Sequence, residues 1–138
     1  MITVIEQAVE ARLVATAPKV ETVPVTLRYD RSDPFALHMA FPAPATLEGI
    51  EVSWTFARDL LTTGLDRPAG HGDVRVRPYG GGRTVVEFHA PEGVAIVLMD
   101  TVALRRFLDR SCTVVPPGME HLYLDMDHSL AELMRGTC

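Results

Sequence analysis

Lysine is nearly missing from this chain. Lys19 is the only one among 13 basic residues, a bias that a GC-rich genome produces and that assigns no function. Cysteine is scarce too. Cys112 and Cys138 have no ligand-like spacing, which excludes a thiolate zinc module and a disulfide-stapled scaffold and leaves two expected free thiols. No apolar run is long enough to span a bilayer. The start, MITVIEQAVEARL, lacks the basic and continuously apolar regions of a signal peptide, so a cytoplasmic protein is expected. Positive charge is short as well. The formal net charge of −5 opposes phosphate-backbone binding as the main task.

What remains is enough for one domain. A chain of 138 residues buries a sizeable core, and a single unit over 1–138 is expected. Its organising stretch runs from Glu51 to Pro78. Ile50, Val52, Trp54 and Phe56 alternate with polar residues, the period of a strand with one buried face. From Phe56 the spacing becomes helical through Leu60, Leu61 and Leu65, with Arg58 and Asp59 expected to turn outward. Gly64 is expected to end this helix in a left-handed conformation. Pro68, Gly70 and Gly72 then form a compact turn into a strand over 73–77.

Upstream, residues 2–16 carry both helix formers and strand alternation, and are read as a strand. Val23 to Tyr29 and Phe35 to Phe41 alternate around an Asp30–Pro34 turn, as a hairpin does. Downstream, Arg83–His89 alternates, and Val94–Met99 is apolar on both faces and reads as a central strand. Asp100 or Thr101 is placed to cap a helix with Val102, Leu104, Phe107 and Leu108 inside. His121–Met126 reads as a short strand or arm, and Asp127 as the cap of a final helix. The fold class is therefore α+β: two antiparallel sheets, a helix after each, and a C-terminal helix.

Reactive constellations are thin. His121, Asp125, Asp127 and His128 are the most metal-like group, but they fit an extended face followed by a helix cap, and no metal is assigned. His71 and Asp73 lack a nearby nucleophile. The glycines at 80–82 precede Arg83 and a strand instead of the Lys-Ser/Thr and helix of a phosphate loop. No catalytic residue or cofactor is assigned. Arg75, Arg77 and Arg83, with Tyr79 and Phe88 nearby, suggest an alternative function in binding single-stranded nucleic acid. Arg58, Asp59, His71, Arg75 and Arg77 are the expected partner-binding residues, on the first helix and around the Pro68–Gly72 turn.

The central stretch, W-x-F-A-R-D-L-L-x-x-G-L-x-x-P-x-G-x-G-D-V-R-V over Trp54–Val76, resembles the signature of the SsgA-like proteins, actinobacterial factors of sporulation-associated cell division. LRYDRSDPFALHMAF, Ala90-Pro91-Glu92-Gly93, Leu104-Arg105-Arg106-Phe107-Leu108-Asp109-Arg110 and Val115-Pro116-Pro117-Gly118-Met119-Glu120 extend the resemblance from about Pro24 to Glu132. It implies a fold like that of the Whirly-type single-stranded nucleic-acid-binding proteins. It also implies a homotrimer and a non-catalytic regulator recruited to the division septum. Such a regulator helps to localise the tubulin-like protein FtsZ and septal wall synthesis, together with SsgA-type partners.

Overall fold

The computed structural model describes residues 3–14, 20–46 and 49–124. Within them the chain forms seven strands and two α-helices. The strands are β1 (Val4–Val14), β2 (Val20–Asp30), β3 (Ala36–Phe41), β4 (Val52–Ala57), β5 (Val74–Tyr79), β6 (Arg83–Ala90) and β7 (Gly93–Asp100). Helix α1 (Arg58–Gly64) follows β4, and α2 (Thr101–Val114) follows β7. The strand-run-then-helix plan read twice from the sequence is thus present.

The two-sheet arrangement is not. All seven strands join one antiparallel sheet in the order β4-β3-β2-β1-β7-β6-β5. The reason is β1. It pairs along its whole length with β2 and offers Ala11–Val14 to Ile96–Met99 of β7 on its other edge. Had β1 been a helix, as its helix formers allow, the two halves would have had no common strand.

The sheet curls until its two halves face each other across the core. Phe88 on β6 lies 5.4 Å from Phe41 on β3, nearly edge-on, and 5.0 Å and 6.4 Å from Trp54 and Phe56 on β4. Edge-to-face and tilted pairs suit aromatic quadrupoles, so one ring bridges parts of the sheet that are distant in strand order. The concave side holds the core, including Val25, Leu27, Leu37, Met39, Val86, Val97 and Met99. Leu61 of α1 and Leu104, Phe107 and Leu108 of α2 pack into it.

Helix α2 begins as expected: Asp100 Oδ1 accepts a hydrogen bond from the Val102 N–H at 3.0 Å. Helix α1, at seven residues, is too short to stand alone and depends on its neighbours. Gly64 does not adopt the left-handed conformation expected of it; Leu65 beyond it is right-handed helical, with φ −70°. Glycine is needed there for closeness, because a Cβ at Gly64 would collide with the Val76 side chain on β5. Gly70 is the residue that needs positive φ, at 101°. It lets the Pro68–Gly72 turn fold back so that Ala69 and Val76 exchange two backbone hydrogen bonds, covering part of the β5 edge.

After α2 the chain runs to a 3₁₀ turn over Glu120–Tyr123, at the start of the stretch where a short strand or arm was expected. The expected C-terminal helix from Asp127, and with it Asp125, His128 and Cys138, lies outside the described residues. Among the described residues no helix is long and apolar enough to cross a membrane.

Candidate functional site

The five expected partner-binding residues fall in three different settings. Arg58 is the clearest correction. Its side chain is only 4% exposed, although the helical pattern had placed it outward. The guanidinium lies 4.8 Å from the centre of the Tyr29 ring, in cation–π range. Nη1 donates to the carbonyl oxygens of Ser111 at 3.2 Å and Val115 at 2.8 Å. Nη2 meets Glu120 Oε2 at 3.1 Å.

Those carbonyls explain the placement. The last turn of an α-helix leaves carbonyls without intrahelical partners and carries partial negative charge. Arg58, projecting from the first turn of α1, supplies the cation that closes the end of α2. Its fork then reaches Glu120, which also accepts from the Gly118 N–H at 2.6 Å. Two motifs of the sequence, the A-R-D of Ala57–Asp59 and the V-P-P-G-x-E of Val115–Glu120, therefore meet in one buried ion pair. Sequence reasoning missed Tyr29, Ser111 and Glu120 as its partners, since motif spacing says nothing of which motifs touch.

Titration follows this geometry. The Glu120 carboxyl is held below the usual carboxylate range, first by its own backbone N–H; burial, next in size, pushes the other way, and the Arg58 and Gly118 donors lower it further. Burial pushes the Tyr29 hydroxyl up to about 12, partly offset by Arg58, and Tyr29 donates to the Pro34 carbonyl at 2.8 Å. A carboxyl lowered in the folded state stabilises above its unfolded pKa, and that contribution disappears as pH falls through the folded value. Glu120→Gln is therefore expected to lower stability by about 1–3 kcal/mol at neutral pH. The difference from wild type should shrink below about pH 4, where the unfolded glutamate is protonated. Urea denaturation at pH 7 and pH 3 checks this, and an equal gap at both would contradict it.

Asp59 stands apart. It is exposed and lines a groove between α1 and α2 with Thr62, Arg105, Asp109 and Cys112. His71, Arg75 and Arg77, by contrast, come together. They line a shallow hollow of about 340 Å³ against the β5 edge, completed by Pro68, Ala69, Gly70 and Glu87. Arg77 forms an ion pair with Glu87, whose other oxygen lies 3.0 Å from His89 Nε2. Arg75 donates from Nε to the Gly72 carbonyl at 3.3 Å. Arg83 and Tyr79 are exposed on the same outer face. Phe88 is not there: it is 1% exposed, on the concave side.

The hollow holds Arg75, Arg77, the exposed His71 and one compensating carboxylate, Glu87. Among the described residues no cluster of three or more histidine, cysteine or acidic side chains is set to hold a metal ion. His121 sits exposed in the 3₁₀ turn.

Comparison with known proteins agrees with the motif resemblance. Residues 23–120 match the family described as Streptomyces sporulation and cell division protein, SsgA. The chain is 42% identical over 137 residues to the sporulation-specific cell division protein SsgB of Streptomyces coelicolor, covering 97% of this chain and 98% of that protein. It is 43% identical to SsgB of Salinispora tropica, over 93% and 92% of the two chains. A solved structure concerning SsgB mutations that correlate to longitudinal cell division during sporulation of S. coelicolor superposes with a TM-score of 0.77. Its identity is 42%, over 88% of this chain and 96% of that one. An SsgA-like sporulation-specific cell division protein from Thermobifida fusca gives a TM-score of 0.83 at 33% identity, over 94% and 95% of the chains. With motif, family and fold in agreement over nearly the whole length, the chain belongs to the SsgA family, and its role lies in sporulation and cell division.

Proposed function

We propose that this protein is a non-catalytic regulator of sporulation-associated division that helps to localise FtsZ and septal wall synthesis, acting at the septum with SsgA-type partners. The observation that carries the reading is the near full-length similarity to proteins named SsgB. The curled sheet adds physical support, because it offers a stiff platform with few moving parts. A homotrimer would present three copies of the same weak contact to a polymerising target, and linkage of that kind multiplies affinity without any new interaction.

Co-sedimentation with FtsZ polymers is the test. The chain is expected to pellet with polymer and to stay in the supernatant without it, and light scattering is expected to give the mass of a trimer. Arg77→Glu, at a half-exposed position, is expected to weaken pelleting, with a small fall in melting temperature from the like charge it sets beside Glu87. A chain that stays in the supernatant at every FtsZ concentration refutes the reading.

A further inference from the structure

The two outer edges of the sheet are finished differently. Along β5, Val76 presents its N–H and C=O outward, and Ala69 takes both. Two residues on, Pro78 brings no N–H to that edge, and Arg75 and Arg77 add charge to the strand. Cover, proline and charge are the guards that keep an edge strand from pairing further. At the other end β4 has a neighbour on one side only. Its sequence, VSWTFA, holds no proline and no charged residue. Among the described residues nothing bridges to its outer side.

The register tells which main-chain groups are left over. The Arg58 N–H donates to the Phe35 carbonyl at 2.8 Å, one step beyond the Ala36–Ala57 pair of the β3–β4 ladder. Hydrogen-bonded pairs recur every second residue of an antiparallel ladder, so Phe56, Trp54 and Val52 bond to β3. Ser53, Thr55 and Ala57 therefore aim three N–H and three C=O groups away from the sheet, and all three residues are exposed. The side chains of Thr55 and His38, 2.9 Å apart at Oγ1 and Nδ1, fit the closer spacing of a non-hydrogen-bonded pair. A row of alternating donors and acceptors has one full complement, a second extended main chain. A helix has its own main-chain groups engaged, and a phosphate backbone offers acceptors alone.

Side chains beside this edge add a second requirement. Val52 and Trp54 turn to the concave side and form one wall of an apolar cavity of about 190 Å³, which Phe41, Phe88, Leu13 and Ala95 also line. A residue of an added strand next to Trp54 carries its side chain on the same face, about 5 Å away, and reaches that cavity. The space suits one aliphatic or aromatic side chain. We infer that the free edge of β4 takes up an extended segment of a protein partner as a further strand. An apolar side chain of that segment enters the cavity beside Trp54, and small polar ones lie over Ser53 and Thr55. The inference rests on the proposed adaptor role only in taking the strand from another protein, and adds to it a site and the chemistry of the partner.

The experiment is fluorescence anisotropy on the full chain with a labelled peptide of alternating leucine and threonine, matched to the six residues of β4 and blocked at both ends. The peptide is expected to bind with Kd below about 1 mM and to shift the emission of Trp54 to the blue. Ser53→Pro removes an outward N–H that the sheet does not use, so it should cut affinity roughly tenfold or more and leave the melting temperature in place. Ser53→Ala should bind as wild type does. Ala95→Leu, at an exposed position on the cavity wall, should also weaken binding. No binding at any concentration, equal binding of a peptide with serines for leucines, or unchanged affinity in Ser53→Pro and Ala95→Leu overturns the inference. So does loss of an oligomer in Ser53→Pro, which would give the edge to a second copy of the chain. Binding only after removal of residues 125–138 overturns it as well, by giving the edge to this chain's own end. The two readings fail separately. Wild type that binds the peptide but never pellets with FtsZ keeps the edge site and loses FtsZ; wild type that pellets but does not bind the peptide does the reverse.

Discussion

Arg58→Ala is expected to lower the unfolding free energy by about 3–5 kcal/mol, the range for removing one member of a buried ion pair. Three groups lose their partner at once. Glu120 is left without its cation, the Val115 carbonyl loses the Arg58 donor, and the Ser111 carbonyl keeps only the Val115 N–H. Tyr29 also loses the guanidinium over its ring. Lysine is not an adequate substitute, because one ammonium cannot reproduce a planar fork that serves carbonyls and carboxylate on different sides. Arg58→Lys is expected to recover less than half of the loss. Urea unfolding measures both, and a double-mutant cycle with Glu120→Gln isolates the pair. A loss below about 1 kcal/mol for Arg58→Ala would mean that Arg58 behaves as an exposed residue. The same geometry bears on function. A charge reversal at Arg58 would disrupt the fold before it reported on any partner, so Arg75 and Arg77 are the better probes.

Phe88→Ala is expected to be as damaging, again about 3–5 kcal/mol. Phe88 is fully buried and touches Phe41, Trp54 and Phe56, so the cavity would open where the two halves of the curled sheet face each other. Collapse around it is difficult, because its neighbours are rigid rings held by strands. Phe88→Leu refills part of the volume and is expected to cost about 1–2 kcal/mol. Trp54 is the only tryptophan, and its ring lies 5.0 Å from Phe88, so its emission reports the repacking directly. A folded Phe88→Ala protein with unchanged emission and stability would show that the curl does not depend on this contact.

Alternation was a reliable guide along most of the chain. The Val23–Tyr29 and Phe35–Phe41 hairpin and the Val52–Phe56 strand are where the period of two placed them, and the uniformly apolar Val94–Met99 run is an interior strand of the sheet. The ambiguous start also became a strand. Helical spacing misled at Arg58, because an arginine at the first turn of a short helix is read as solvated unless a second element is known to end beside it. Of the expected contact residues, His71, Arg75 and Arg77 were legible as neighbours because a tight turn and one strand carry all three. Arg58 and Asp59, adjacent in sequence, line the same groove, but Arg58 is buried against the end of α2 while Asp59 is exposed.

The amino-acid order alone determined the family, the strands and helices, and the scarcity of reactive groups, because each is written in local pattern or motif. Tertiary structure decided that β1 fuses two expected sheets into one, that Gly64 serves a close approach to Val76, and that Arg58 closes the end of α2. Those outcomes depend on pairings between residues far apart along the chain. Such pairings are set by the joint packing of all elements, and no single stretch encodes them.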